Sequence, residues 1–321
     1  MQCVDLQCEA MAIRDRQAPP SGIPLHQPAM VPQVLRLLQP APGHAVLDLT
    51  IGTGGHALSL AQAIGAAGLL IGIDADQDTL QIARARLTAE APCRFELFAE
   101  RFSRAPDVAR QAGVSAFDAV LADLGVGTHQ LAQPARGFSF ESQDRLDMRY
   151  DTTAGPSAWD AVNRASEEEL AAIFFRCGEE RHSRAIAARI CRRRAEAPIE
   201  SPEELAALVK GVAARRTPRR HTWRIHPATR AMMALRIHVN HELEELEALL
   251  AALPSLVRRG GRAAILTYHS LEARRVKEAW RRQEKEGLWQ SLTPSPVTPS
   301  EEQVSENPRI RSAQLRAARR L

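Results

Sequence analysis

An α/β fold on a mostly parallel sheet, with an inserted helical region, is the architecture this sequence predicts. Three observations carry the prediction. Val46, Leu47, Leu49 and Ile51 form a short apolar run ending in Gly52, Gly54 and Gly55, and beyond it Ala57, Leu60, Ala61 and Ile64 recur at helical spacing. This reads as buried strand, tight glycine turn and helix. Further apolar runs alternate with helical patterns, and Asp48, Asp74 and Asp123 fall at or near strand ends. Such alternation indicates parallel strands with ligands at their carboxyl ends. The alternation then breaks after Asp123 and resumes with the helix that follows Pro227.

Taken in order, positions 1–25 form a disordered lead-in without the apolar core of a secretory signal. A helix is expected over 33–38, strand one over 44–49, and strand two over 69–73, ending on Asp74. A helix over 79–87, strand three over 95–98 and strand four over 117–123 follow. Positions 133–225 hold no convincing strand and read as a helical insertion. Its helices span 166–175, with Ser166 and Glu169 as a capping box, 180–195, and 201–212, with Pro202 in the first turn. One long helix is expected over 229–253, because Met232, Leu235, Val239, Leu243, Leu246 and Leu250 form a continuous apolar stripe. Strand five over 263–268, a helix over 272–283 and edge strands within 310–320 complete the chain. The α/β domain thus comprises 26–132 and 226–321.

Composition narrows the class. The 321 residues are 45% hydrophobic and 25% charged, as in ordinary soluble domains, and no apolar run approaches the ~20 residues of a membrane span. Five cysteines without a C-x-x-C pair argue against disulfides or a zinc finger and for a reducing, cytoplasmic setting. None sits in the turn-like catalytic setting of a covalent nucleophile. The net charge of +4 is only mildly basic, but arginines cluster: Arg181, Arg184, Arg189, Arg192, Arg193 and Arg194, then Arg215, Arg216, Arg219, Arg220 and Arg224. Concentrated in the insertion, they suit an RNA-phosphate surface.

The glycine turn admits two ligand classes. Gly52, Gly54 and Ala57 also fit the dinucleotide pattern, with Asp74 where a ribose-binding acid belongs. Asp48 favours S-adenosylmethionine: a carboxylate facing the crevice repels a pyrophosphate and attracts an ammonium or sulfonium group. Its alternative is a turn-capping acid. The rival readings are a methyltransferase acting on another nucleic acid or on a protein amine, an NAD-dependent oxidoreductase, and a non-catalytic ribosome-assembly factor.

Ten segments then appear in one order: "HQPAMVPQVLRLL" at His26, "LDLTIGTGGHALSL" at Leu47, "IGIDADQDTLQIA" at Ile71, "LADLGVGTHQL" at Leu121, "RGFSF" at Arg136, "LDMR" at Leu146, "GEERHSRAIA" at Gly178, "HPATRAMMALRIHVNHELEELE" at His226, "GGRAAILTYHSLEARRVK" at Gly260 and "NPRIRSAQLR" at Asn307. Together they resemble the bacterial 16S ribosomal RNA cytosine-N4 methyltransferases of the RsmH or MraW type. The resemblance implies a class I S-adenosylmethionine-dependent methyltransferase fold, Rossmann-like, with S-adenosylmethionine as cofactor. The acceptor it implies is a cytidine in the decoding region of 16S rRNA in the small ribosomal subunit. Position by position, its donor-binding residues fall on Gly54, Gly55, His56, Asp74, Phe102, Asp123 and Gln130. The chain departs from the family where Ile51 replaces a phenylalanine, where Val126 to Gln130 replace a serine-rich turn, and where Ala273 replaces an aspartate.

Chemistry assigns further roles. Asp123 is expected to accept a hydrogen bond from the exocyclic amine and then its proton. His269 and Ser270 are expected to face the same crevice and touch the base. Phe138, Phe140 and Tyr268 are candidates to stack a cytosine taken out of its helix. His238 and His241 share a helix face, but no third ligand is in view and no metal is expected. A membrane is not an expected partner, and a homodimer is left open.

Overall fold

The computed structural model describes residues 28–127, 134–216 and 226–321. Seven strands form one sheet: β1 (Ala45–Asp48), β2 (Leu69–Asp74), β3 (Arg94–Ala99), β4 (Phe117–Asp123), β5 (Val257–Thr267), β6 (Trp289–Ser291) and β7 (Gln314–Arg320). Their order is β3-β2-β1-β4-β5-β7-β6. β1 to β5 pair in parallel, and β7 runs antiparallel to both β5 and β6. This is the class I, Rossmann-like arrangement expected. The strand order reverses between β1 and β4, and open α/β sheets bind ligands in the crevice at such a reversal.

The described helices are α1 (Val31–Leu38), α2 (Gly55–Ile64), α3 (Gln77–Glu90), α4 (Ala105–Gln111), α5 (Ala158–Arg164), α6 (Glu167–Gly178), α7 (Ser183–Arg194), α8 (Pro202–Arg216), α9 (Thr229–Asn240), α10 (Glu242–Leu256), α11 (Ser270–Lys285) and α12 (Glu301–Glu306). The strands are apolar on both faces because helices cover both. Val46, Leu70, Leu121 and Ala264 pack with α1, α2 and α3, whereas Leu47, Ile71, Val120 and Ile265 pack with α4, α10 and α11. The alternation is the period of two that a pleated strand imposes.

Among the described residues no strand lies between β4 and β5. Helices α5 to α9 enclose a separate core that includes Leu170, Phe174, Ile190, Leu205 and Leu235. Ser166 and Glu169 form the expected reciprocal cap on α6, and Ser157 with Asp160 forms another on α5.

Three expectations need correction. The single helix over 229–253 is two, broken at His241, which adopts φ 54°. Its apolar stripe continues across the break, but α9 packs in the helical core and α10 against the sheet. Packing therefore changes at this corner, fifteen residues after the expected boundary at 226. The last segment is not an edge: β7 lies inside the sheet and the short β6 is the outer strand. The helix expected over 272–283 spans Ser270–Lys285 and is capped by His269.

Candidate functional site

A cavity of about 720 Å³ opens at the carboxyl ends of β1, β2 and β4. The β1–α2 turn builds its floor. Gly52 and Gly54 have φ 54° and 81°, where a side chain is strained, and Gly54 N–H closes the turn on Ile51 O at 2.9 Å. Thr50 joins two strand ends, since its Oγ1 accepts the Asp123 N–H at 2.6 Å.

Asp48 departs from expectation. It is 1% exposed and does not line the cavity; its Oδ1 accepts the Thr50 N–H at 3.2 Å. The turn-capping role is the one the structure shows, because β1 turns this side chain beneath the glycine loop. Burial, reinforced by Asp123 and Asp74 and opposed by the Thr50 N–H, raises its pKa to about 7. A raised folded-state pKa makes the ionised form destabilising, so stability falls as pH rises from the unfolded value toward about 7. Asp48→Asn therefore raises the melting temperature of the ligand-free protein above pH 7, by about 1–3 kcal/mol of stability. That advantage shrinks as the pH falls below about 7 and the wild-type acid takes up its proton. Calorimetric melting across this range checks it; a constant or reversed difference contradicts the burial account.

Asp74 lines the cavity at the end of β2. Its Oδ2 accepts the Gly52 N–H at 2.9 Å and its Oδ1 the Asp76 N–H at 3.0 Å. Each oxygen keeps a second lone pair, so the carboxylate can still hold a vicinal diol. Burial, only partly offset by these N–H groups, raises its pKa to about 6. Next along, Asp76 caps α3 and pairs with buried Arg136 at 3.0 Å. Arg136 also donates to the carbonyls of Arg149 and Tyr150, tying the insertion to the cavity wall.

Phe102, half-buried in the turn after β3, supplies an apolar wall. The adjoining Ser103 N–H donates to Glu245 at 3.3 Å. Gly55, His56 and Asp123 also line the cavity, and Gly54 heads α2 at its edge. Gln130 lies outside the described residues.

His269 and Ser270 do not line the cavity. His269 Nδ1 accepts the Glu272 N–H as helix cap, and its Nε2 lies 3.1 Å from Glu272 Oε1. Ser270 points outward and donates to Glu179 Oε2 at 2.6 Å. Helix initiation consumes one and an inter-segment contact the other, so direct contact with a base is not what this geometry offers. Tyr268, immediately before them, does face the cavity and packs across Gly125, where a Cβ would lie 2.8 Å from the ring. Burial and the nearby Asp123 carboxylate push its phenol well up. Phe140 lines the cavity and stacks on His226, with centroids 4.6 Å apart. Phe138 is core, stacked on Tyr150.

The far wall was not foreseen from sequence. Arg236 donates from Nε and Nη2 to the two oxygens of Glu242, at 2.8 and 2.9 Å, and the Tyr150 hydroxyl donates to Glu242 at 3.0 Å. Asn240 takes the Tyr150 N–H and donates to Met148 O, which locks the α9–α10 corner. The available signal was positional. Arg236 and Glu242 stand four after Met232 and three after Val239, so both fall on the apolar face. Glu242, His269 and Glu272 bring ligand-type atoms within 4.8 Å of one another. The Arg236 guanidinium already neutralises Glu242, and a divalent cation beside it would be repelled. His238 and His241 flank the corner with ring centroids 6.5 Å apart.

Comparison with known proteins identifies the family. The chain is 43% identical over 312 residues to "Ribosomal RNA small subunit methyltransferase H" of Thermomicrobium roseum, covering 92% of this chain and 94% of that one. To the protein of the same name from a Synechococcus species it is 44% identical, covering 92% of each. Among solved structures, an rRNA methylase from Streptococcus thermophilus aligns over 91% of this chain and 93% of its own, at 11% identity and TM-score 0.39, which adds no weight. The model of the MraW methylase family matches residues 24–321, and the chain belongs to that family.

Proposed function

We propose that this protein uses S-adenosylmethionine to methylate the exocyclic N4 amine of a cytidine in the decoding region of 16S rRNA. The observation that carries the reading is one cavity whose lining places Asp74 at the end of β2 and Asp123 at the end of β4. The residues fit the donor. The space is ample, Asp74 suits a ribose diol, Phe102 suits an adenine face, and the turn from Leu49 to Ala57 carries no lysine or arginine to favour a pyrophosphate. Gly54, Gly55, His56 and Gln130 complete the donor set by family resemblance. His56 contributes there through its backbone, since both ring nitrogens are directed at protein groups.

When bound, the donor supplies an electrophilic methyl on a sulfonium. The chain's task is to hold the amine in line with that methyl and to polarise it. Asp123 serves as hydrogen-bond acceptor and proton acceptor. Phe140 and Tyr268, both lining the cavity, hold the base.

The insertion, 133–225, serves as the RNA-binding region of a cytoplasmic enzyme. Arg181, Arg184 and Arg192 are exposed around α7. Arg193 and Arg194 are partly spent on structure: Arg193 pairs with Glu204 at 2.6 Å, and Arg194 donates to Val162 O at 2.6 Å. Replacing Arg181, Arg184 or Arg192 with glutamine therefore reduces the salt dependence of RNA binding by about one counterion each. Fluorescence titrations over a salt series measure it; an unchanged slope removes that face from the interface. The function itself is tested with radiolabelled donor on naked 16S rRNA, 30S particles and ribosomal proteins, followed by nucleoside analysis. N4-methylcytidine is the expected product, and label in protein or at another RNA atom refutes the assignment.

A further inference from the structure

The side chain of His56 is set up to receive a proton. It is 6% exposed, and its Nε2 lies 2.8 Å from the carbonyl oxygen of Ala29. A carbonyl only accepts, so Nε2 carries the ring hydrogen and Nδ1 of the neutral ring is a bare acceptor. Ala29 itself is fixed. Its neighbour Pro28 packs on Gly55, where a Cβ would come within 3.1 Å of the proline ring, and Met30 is 1% exposed. The bare Nδ1 faces Asp123 Oδ2 at 3.6 Å. Two lone-pair-bearing atoms thus confront each other in a buried site, an arrangement that becomes favourable once a proton lies between them.

We propose that His56 Nδ1 is the final acceptor of the proton lost by the target amine, passed to it through Asp123. The proposal rests on the methyltransferase reading above. As the amine nitrogen bonds to the methyl carbon, the carbon–sulfur bond breaks with its electron pair left on sulfur, and the nitrogen becomes cationic. Asp123 takes one proton from that nitrogen and passes it to His56. The resulting imidazolium keeps its Nε2–H on Ala29 O and forms an ion pair through Nδ1–H with the carboxylate, which recovers its charge. Tyr268, the titratable group facing Asp123 from the end of β5, keeps its own proton and does not compete. Asp48 on β1 couples electrostatically to Asp123 and to Asp74 on β2, and burial raises both Asp48 and Asp74 above the usual carboxylate range. His56 acts through Asp123, so it is a positioning and relay residue.

His56→Gln tests this, because glutamine can keep an N–H near Ala29 O while removing the basic nitrogen beside Asp123. Single-turnover methyl transfer at saturating donor is expected to slow by about 10²-fold, with the donor Kd by calorimetry unchanged. Independently of activity, ¹⁵N spectra of the histidine rings in the ligand-free wild type should show His56 as the Nε2–H tautomer. An unimpaired variant, a loss of donor affinity in place of rate, or a neutral ring protonated on Nδ1 would each overturn the relay. The tautomer measurement decides the matter even if the variant does not fold. Failure of the wild type to form N4-methylcytidine is a separate result, which removes the functional reading while leaving the tautomer intact.

Discussion

Asp123→Asn lowers turnover at saturating donor by about 10²- to 10⁴-fold, the range expected for loss of a positioned proton acceptor. The variant keeps the shape of the side chain, and the Asp123 N–H that donates to Thr50 Oγ1 is untouched, so the strand end stays in place. What disappears is the charge. An amide cannot take a proton from the amine, and its NH₂ group would meet the amine donor to donor. Single-turnover rates, with donor affinity measured separately, distinguish this from weakened binding. Full turnover would mean that Asp123 only helps to hold the donor.

Asp74→Asn weakens donor binding by about 10²- to 10³-fold, from loss of two hydrogen bonds to a charged acceptor. The effect has an internal part as well, because the new NH₂ faces the backbone N–H of either Gly52 or Asp76. Wild-type affinity has a matching pH dependence. Asp74 has a pKa raised to about 6, so the acceptor form prevails above that value and affinity falls as pH drops through it. Calorimetry on either side of about pH 6 checks both statements. The asparagine variant is expected to show no titration there, and a wild-type affinity that is flat or improves in acid contradicts the ribose assignment.

The glycine-turn wall of this cavity was legible in the sequence because strand, glycine turn and acid lie close together along the chain. Asp74 and Phe102 each follow a strand and sit where that position dictates. Asp48 was misread, since the pattern locates a residue near a strand end without saying which face its side chain takes. The opposite wall was far less legible. Arg236, Asn240 and Glu242 meet Tyr150 across some ninety residues of sequence, through a helix break that leaves the apolar periodicity undisturbed. Only tertiary hydrogen bonds reveal the break at His241. Similarly, His269 and Ser270 occupy the expected strand end, but the cap of α11 and Glu179 claim their polar atoms.

The central claim is that this pocket selects a cationic methyl donor over a phosphate-bearing nucleotide. Calorimetric titration of the purified protein with S-adenosylmethionine, S-adenosylhomocysteine and NAD tests it most directly. Binding of the first two, with NAD failing to compete, is the predicted result. Tighter binding of NAD, or no binding of either sulfur compound, would contradict it.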